Sequence, residues 1–323
     1  MKILYVVIAA RDVPPAITHD DSAAHVYSRQ LKQGMNQLGI EADYFPVAGT
    51  FSRWNYLKAA LKLFWLSLRG GLDSYDLIHA HYGYNGVVAR CQWRKPLVLT
   101  LMGSDVYRKY ERPIARVLVR LVSAVIVPGA QMKALIDNHP ADVIPCGIDL
   151  DTFVPMNRDQ MRQKHNLPGD KKLVLFPYNP ARAYTKRPDI IQAAVNQIDG
   201  AEMVIVYGKT SQDVAEYMNA CDAFAMASSY EGSPAAVREA LACNLPLVSV
   251  DVGDVKVHLA AVSGCYICER DPVDMAAKLR QVFADGKPLD KGCEYALQFS
   301  LKDAAARTVE VYKRVLQKYG KQE

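Results

Sequence analysis

Two glutamates, Glu231 and Glu239, enclose a segment suited to a phosphorylated, hydroxyl-rich ligand. Gly232 lets the backbone approach a ligand closely, and Pro234 fits a helix start because it has no N–H to leave unpaired. The free N–H groups of such a helix start favour phosphate, and carboxylates accept hydrogen bonds from sugar or ribose hydroxyls. A capped surface helix with two solvated acids is the alternative explanation. The candidate binding residues are Glu231, Gly232, Ser233, Pro234, Ala235 and Glu239.

A basic turn follows the predicted strand at Leu173–Phe176. Its cations are Arg182, Lys186 and Arg187, which we expect to converge on one site. Cations placed there can hold a diphosphate and neutralise the charge on a departing nucleotide without a metal ion. A basic surface turn with no ligand is the alternative.

The elements that must position these residues alternate between apolar runs and helical patterns. This alternation predicts parallel sheets wrapped by helices, an α/β fold of two doubly wound, Rossmann-like domains with a cleft between them. The predicted strands are Ile3–Ala10, Ala42–Val47, Leu77–Ala80, Leu97–Leu101, Ala124–Pro128, Val143–Pro145, Leu173–Phe176, Ala201–Tyr207, Ala223–Met226, Leu247–Val250 and Cys265–Cys268. Ligands of such sheets bind beyond the carboxyl ends of the strands.

A Gly- and Pro-containing stretch near residues 146–158 marks the predicted join between the domains. We therefore expect an N-terminal domain over residues 1–150 and a C-terminal, ligand-binding domain over residues 151–299. The helical pattern predicts a last helix that begins at about residue 301, within segment 300–323, after residue 299 ends the second domain.

Charge is concentrated in one region of this 323-residue chain, whose net charge is +5. Residues 53–120 hold 12 basic and 4 acidic side chains. Segments 53–69 and 107–120 combine cations with aromatic residues at helical spacing, which predicts contact with an anionic membrane surface. A helix packed on its own sheet with solvated cations is the alternative. No nucleic-acid-binding module is recognised, so nucleic acid is not an expected partner.

Targeting signals are not recognised: the first apolar run is too short for a signal peptide, and no run of about 18 apolar residues is present. We therefore expect a cytoplasmic protein, peripheral on the inner face of the membrane if the basic region binds lipid. Seven cysteines at irregular spacing fit reduced thiols. The pair Cys265 and Cys268 is interpreted as core, because no second pair or histidine partner accompanies it.

In combination, these segments resemble the GT-B retaining glycosyltransferases of family 4, also called glycosyl transferases group 1. The run Tyr230–Glu239 is similar to the family's Glu-x7-Glu signature, and Ile144–Asp149 with Phe153 is similar to its interdomain linker. Arg182 and Lys186 stand where the family places its diphosphate-binding pair, and Asp76–His81 resembles a family strand. The resemblance covers nearly the whole chain.

The resemblance implies an enzyme of the hexosyltransferase class that uses a nucleotide-sugar donor and needs neither a metal ion nor a further cofactor. It implies that Arg182 and Lys186 bind the diphosphate, Glu231 contacts the donor sugar and Glu239 binds the ribose. It also implies retention of configuration and a last helix that packs on the first domain. The acceptor is expected to be a glycan or glycolipid, such as a lipid-linked or cell-envelope polysaccharide precursor.

Gly208 and Lys209 are further donor-binding candidates, because they begin the connection in which the family holds the nucleobase. That connection is short here, so uridine, guanosine and adenosine donors all remain open.

Two departures from the family concern the acceptor side. The first loop reads Asp20-Asp21-Ser22-Ala23-Ala24-His25 in place of paired glycines, and Met102 replaces a usual histidine. Methionine can neither donate a hydrogen bond nor take a proton. The acceptor-side candidates are His25, His81, Ser104 and Asp105. Two alternatives to a transferase are a sugar-nucleotide epimerase on the same fold and a non-catalytic sugar-nucleotide-binding subunit.

Overall fold

The computed structural model describes residues 1–320, which form two compact units. Unit 1 comprises Met1–Gly147 and the chain from Leu301 onward, whereas unit 2 is the continuous stretch Ile148–Ser300. The chain therefore leaves unit 1 once and returns to it once.

Unit 1 contains, within the described residues, a six-stranded sheet in which every pairing is parallel. The strand order is β2-β1-β3-β4-β5-β6, so the direction of winding reverses between β1 and β3. Its strands are β1 (Lys2–Ile8), β2 (Glu41–Val47), β3 (Leu77–His81), β4 (Leu97–Thr100), β5 (Ala124–Val127) and β6 (Asp142–Val143). The helices of unit 1 that precede unit 2 in the sequence are α1 (Val26–Gln37), α2 (Trp54–Leu68), α3 (Gly83–Ala89), α4 (Ser104–Tyr107), α5 (Arg112–Leu118) and α6 (Met132–Leu135).

Unit 2 repeats this winding with a five-stranded parallel sheet among the residues described. Its strands are β7 (Lys172–Pro177), β8 (Ala201–Val206), β9 (Ala223–Met226), β10 (Leu247–Val250) and β11 (Tyr266–Cys268), in the order β11-β10-β9-β7-β8. The winding reverses between β7 and β9. Its helices are α7 (Arg158–Lys164), α8 (Ala183–Lys186), α9 (Pro188–Val195), α10 (Ser211–Ala220), α11 (Ala235–Ala242), α12 (Val255–Ala260), α13 (Pro272–Asp285) and α14 (Gly292–Ala296).

Both sheets have strands that read as nearly continuous apolar runs, because helices cover both faces. The residues of β3, β4, β9 and β10 are all buried, as expected for parallel strands sealed on both sides. The prediction of two doubly wound α/β sheets is confirmed. Cys268 is buried in the core of unit 2.

Helix α15 (Leu301–Lys318) returns to unit 1 and packs against α1. The two helices touch at Gly34, where an added Cβ would lie 2.3 Å from the carbonyl oxygen of Leu301. Tyr312 of α15 is fully buried, and its hydroxyl is 2.6 Å from Nδ1 of His79 on β3. The last helix is therefore part of the core of unit 1.

Candidate functional site

The loops after β7 and β9 meet at the carboxyl edge of the unit 2 sheet, beside the point where the winding reverses. Crevices at such points are the usual ligand sites of doubly wound sheets. The Ser229 N–H donates a 2.7 Å hydrogen bond to the Thr185 carbonyl, so the backbones of the two loops are tied together. Both Glu231 and the basic turn lie in these loops.

Lys186 and Glu231 form an ion pair across the two loops. The Nζ of Lys186 lies 2.5 Å from Oε1 of Glu231, and the two side chains keep 26% and 16% of their surface exposed. The pair is sheltered yet open to a ligand. The cation and the carboxylate predicted to serve one ligand are therefore adjacent.

The other two cations of the basic turn are placed differently. The Arg182 side chain is exposed and forms no hydrogen bond or ion pair with any residue that the structure describes. Arg187 adopts a left-handed backbone conformation (φ 53°), and its guanidinium pairs with Asp189 at 2.6 Å. A local ion pair thus engages Arg187 next to the start of α9, and its convergence with Lys186 on one ligand stays a prediction.

Glu239 lies on the first turns of α11 and is partly exposed. Burial raises the pKa of its carboxyl to about 7, and the nearby charge of Arg238 offsets only part of this effect. Among the residues that the structure describes, none donates a hydrogen bond to this carboxyl. An unsatisfied carboxyl of this kind is ready to accept hydrogen bonds from a ligand hydroxyl.

The segment Gly232–Pro234 leads into α11 and is buried. It rests on a turn after β10 that the sequence analysis missed. Gly253 in that turn has φ +60°, and an added Cβ would lie 2.9 Å from the Gly232 carbonyl oxygen. The available signal was a glycine between Asp251 and Asp254 directly after a predicted strand, since neighbouring parallel strands end at the same edge.

Gly208 and Lys209 follow β8, the strand beside β7. Both residues are exposed, and Gly208 has φ +69°. Thr210 then caps α10 through a capping box with Asp213, so the connection ends abruptly. The structure places these two residues at the same sheet edge as the Lys186–Glu231 pair, without a contact to it among the hydrogen bonds and ion pairs described.

His81 ends β3 in unit 1 and is 2% exposed. Its Nδ1 lies 2.7 Å from the Ser28 hydroxyl, whereas Nε2 is buried without a hydrogen-bond partner among the described residues. Burial lowers the pKa of His81 to about 3, so the imidazole is neutral at physiological pH. Because one nitrogen of a neutral imidazole donates and the other accepts, Nε2 can still form one hydrogen bond with a ligand, but the ring carries no charge.

Asp105 is also buried, and its oxygens accept hydrogen bonds from the N–H groups of Met102, Gly103 and Gly83. Burial raises the pKa of this carboxyl to about 6, although the three N–H donors oppose the rise. The structure thus assigns Asp105 to holding the loops after β3 and β4. The acceptor-side role of Asp105 stays a prediction.

Ser104 is partly exposed at the start of α4, and His25 is exposed at the start of α1. The acidic residues of the loop between β1 and His25 form ion pairs with nearby cations. Asp20 pairs with Arg11 at 2.7 Å, and Asp21 pairs with Lys32 at 2.9 Å. The extra acidic charge at residues 20–25 is therefore balanced by neighbouring cations.

Comparison with known proteins gives matches in both units. A family model described as Glycosyltransferase Family 4 matches residues 7–152, and one described as Glycosyl transferases group 1 matches residues 160–285. The chain is 28% identical over 302 residues to a D-inositol 3-phosphate glycosyltransferase of Mycolicibacterium smegmatis, covering 76% of this chain and 68% of that protein. It is 27% identical over 300 residues to the protein of that name from Xylanimonas cellulosilytica, covering 74% and 72%.

Solved structures share the fold over almost the full length. The sucrose-phosphate synthase of Thermosynechococcus elongatus superposes with a TM-score of 0.82 at 17% identity, covering 98% of this chain and 99% of that one. Anabaena Alr3699/HepE, in complex with UDP and glucose, superposes with a TM-score of 0.71 at 17% identity, covering 97% and 99%.

Proposed function

We propose that this chain, which belongs to glycosyltransferase family 4 and has the GT-B fold, transfers a sugar from a nucleotide-sugar donor. We propose further that the transfer retains the configuration of the sugar. The observation that carries the proposal is the meeting of Lys186, Glu231 and the start of α11 at one edge of unit 2. A solved neighbour binds UDP-glucose, which supports a donor of this class.

Each group has a role that follows from its chemistry. Cleavage of the glycosyl–phosphate bond leaves an anionic nucleotide and an oxocarbenium-like sugar. Lys186 and Arg182 neutralise the negative charge of the departing diphosphate. Because this charge develops in the transition state, cations placed beside it lower the activation barrier for bond cleavage. No metal ion is needed for this step in our proposal, because the two cations supply the positive charge.

Glu231 and Glu239 recognise the sugar and the ribose. Before the donor binds, Glu231 already holds Lys186 in place, so the cation needs little reorganisation when the diphosphate arrives. Glu239 accepts hydrogen bonds from ribose hydroxyls. These bonds stabilise the charged carboxylate, which burial disfavours in the ligand-free protein. Gly208 and Lys209 are the proposed neighbours of the nucleobase.

A panel of UDP-, GDP- and ADP-sugars tests the donor class. We expect one nucleotide to raise the melting temperature of the wild-type protein, and we expect Glu239→Ala and Arg182→Ala to reduce the shift. Glu269→Ala, an exposed glutamate of the same unit, is the matched control. If no nucleotide or nucleotide sugar binds the wild type, the proposed donor class is wrong. The anomeric configuration of the product, followed by NMR, tests retention.

The acceptor is proposed to be a glycan or glycolipid at an anionic membrane surface, and α2 supports this choice. Its apolar residues divide between two faces. Ala59, Leu63 and Ser67 are buried against the sheet of unit 1. A second stripe faces solvent and comprises Trp54 (71% exposed), Leu57, Leu61, Trp65 and Leu68.

Cations border the exposed stripe. Lys58, Lys62 and Arg69 are exposed on α2, and Arg69 lies 5.5 Å from the Trp65 ring. Exposed tryptophans flanked by cations fit the interface of an anionic bilayer. Within residues 1–320, no helix combines the length and apolar composition needed to span a bilayer.

Segment 107–120 supports the membrane proposal less well. Arg108 pairs with Glu111, Arg116 and Arg120 pair with Asp137, and Arg112 donates to backbone carbonyls. These cations are engaged within unit 1. The proposed membrane surface is therefore α2 alone.

Flotation with vesicles tests this surface. We expect binding to vesicles containing phosphatidylglycerol at low salt, and weaker binding to neutral phosphatidylcholine. Trp54→Ala with Trp65→Ala should abolish binding, whereas Val257→Ser, at an equally exposed apolar residue of unit 2, should leave it unchanged. Equal flotation of both variants would refute the assignment to α2.

A further inference from the structure

Arg238 is a fully buried arginine directly before Glu239 on α11. Its exposed fraction is 0%, and it is among the largest side chains buried to this degree. A buried guanidinium is tolerated only when it is paired and hydrogen-bonded. Its partners therefore show what the charge is for.

One partner is Ser233, in the loop that precedes α11. Nη1 of Arg238 donates a 2.6 Å hydrogen bond to the Ser233 hydroxyl, and that hydroxyl donates a 2.6 Å hydrogen bond to Oδ2 of Asp254. Nη1 lies 3.8 Å from the same Asp254 oxygen. The serine hydroxyl thus bridges a buried cation and a partly exposed anion.

His258 lies beside the same oxygen of Asp254. Nε2 of His258 lies 3.2 Å from Oδ2 of Asp254, and Nδ1 of His258 lies 3.0 Å from the Tyr295 hydroxyl. Burial acts against ionisation of Asp254, but the hydrogen bond from Ser233 and the nearby His258 and Arg238 leave the pKa of the carboxyl below its usual value. Asp254 is therefore an anion at neutral pH.

Phe299 closes the cluster from a different part of the chain. Its ring lies 5.5 Å from the Arg238 guanidinium and 5.1 Å from the His258 ring. Its carbonyl accepts a hydrogen bond from the Ile148 N–H. The group behind the loop is thus built from α11, the turn after β10, α12 and the last residues of unit 2.

Ser233 lies between the two glutamates that are proposed to bind the donor. On one side of Ser233, Glu231 contacts Lys186, and on the other side α11 carries Glu239. Gly253 packs under the Gly232 carbonyl at the same place. A change in the position of Ser233 therefore moves both proposed donor-binding carboxylates relative to each other.

We propose that Arg238 and Asp254 are positioning residues that act through the Ser233 hydroxyl to set the conformation of the Glu231–Pro234 loop for the donor. The inference rests on the proposed function for what the loop binds, and on the geometry alone for how the loop is held. Neither charge contacts the donor. A core ion pair that only stabilises unit 2 is the competing explanation.

Ser233→Ala separates the two explanations, because it removes the bridging hydroxyl and keeps both charges. We expect kcat/KM for the donor to fall at least tenfold when it is measured well below the melting temperature of the variant, so that the stability lost with the two hydrogen bonds does not contribute. Ser233→Thr retains the hydroxyl and should recover most of the activity. Ser249→Ala is the matched control, since Ser249 is a fully buried serine of β10 whose hydroxyl donates to the Val250 carbonyl.

Hydrogen exchange on the ligand-free protein gives a readout that needs no donor. We expect faster amide exchange in residues 227–237 of Ser233→Ala and Arg238→Lys, and unchanged exchange there in Ser249→Ala. Exchange and kcat/KM in Ser233→Ala that match Ser249→Ala would overturn the proposal. If the wild type binds no nucleotide sugar, the proposed function fails, while the exchange experiment still decides whether Arg238 holds the loop.

Discussion

Replacing Glu239 with glutamine should stabilise the ligand-free protein while weakening nucleotide binding. Burial raises the pKa of this carboxyl from 4.5 to about 7. At pH values between 4.5 and about 7, the folded protein therefore keeps a proton on Glu239 that the unfolded chain has already lost. The wild type should therefore lose stability as the pH rises from about 4.5 to about 7, and the loss should level off above that range.

The size of the effect follows from the shift. At about 1.4 kcal/mol per pKa unit, the full shift corresponds to about 3 kcal/mol. Glu239 keeps part of its surface in solvent, so screening reduces the expected value to about 1–2 kcal/mol. Glutamine has nearly the same shape and no charge. Glu239→Gln should therefore gain about this free energy of unfolding over the wild type at pH 8, and much less at pH 5.

Urea unfolding at pH 5, 6, 7 and 8 measures the difference. Far-UV circular dichroism is the suitable signal, because all three tryptophans lie in unit 1 and Glu239 lies in unit 2. Glu269→Gln, at an exposed glutamate, controls for the general effect of removing a negative charge. A gain that is equal at pH 5 and pH 8, or a variant that is less stable than the wild type at pH 8, would refute the reasoning. Calorimetric titration with the preferred nucleotide should show at least tenfold weaker binding by the variant, because the charged acceptor for the ribose is gone.

Three further predictions concern unit 1. Gly34→Ala should lower the free energy of unfolding by about 1–3 kcal/mol through overpacking, since the new Cβ would lie 2.3 Å from a carbonyl oxygen of α15; Gly169→Ala, which has nothing within 4 Å, should cost far less in the same urea titration. Tyr312→Phe should cost about 1–3 kcal/mol, because it leaves a buried nitrogen of His79 without its partner; unfolding of the variant at the wild-type midpoint would contradict this. Asp105→Asn should destabilise the loops it holds, which faster amide exchange in residues 101–105 would report, and unchanged exchange would show that its three N–H donors find other acceptors.

The sequence was sufficient to predict that Lys186 and Glu231 lie close together, because the signals for their loops are local. A glycine and a proline between two glutamates mark a strand–loop–helix junction, and a doubly wound sheet brings the ends of neighbouring strands together. The contact between Lys186 and Glu231 follows from these two facts. How each side chain points does not. The pairing of Arg187 with Asp189 depends on a left-handed residue, which the sequence pattern did not indicate.

Buried polar contacts between distant residues escaped prediction for a different reason. Arg238 reads as one more exposed cation on an amphipathic helix, and only the fold brings Asp254 beneath it. Asp105 likewise satisfies the backbone of a loop that begins at another strand. In α2 the helical spacing was correct, but both of its faces are apolar, so periodicity alone could not tell the buried stripe from the exposed one.

The late return of the chain to unit 1 sets an order of events during synthesis. Unit 2 is continuous, so the ribosome delivers all of it before α15 exists. Domains fold as their chain emerges, and unit 2 can therefore complete its core while unit 1 still lacks the helix that covers Tyr5, Tyr44 and Met35. The imidazole of His79 gains the Tyr312 hydroxyl only at that last step. A chain truncated before residue 301 would thus contain a finished unit 2 attached to a unit 1 with an exposed apolar face, which chaperones and proteases would recognise.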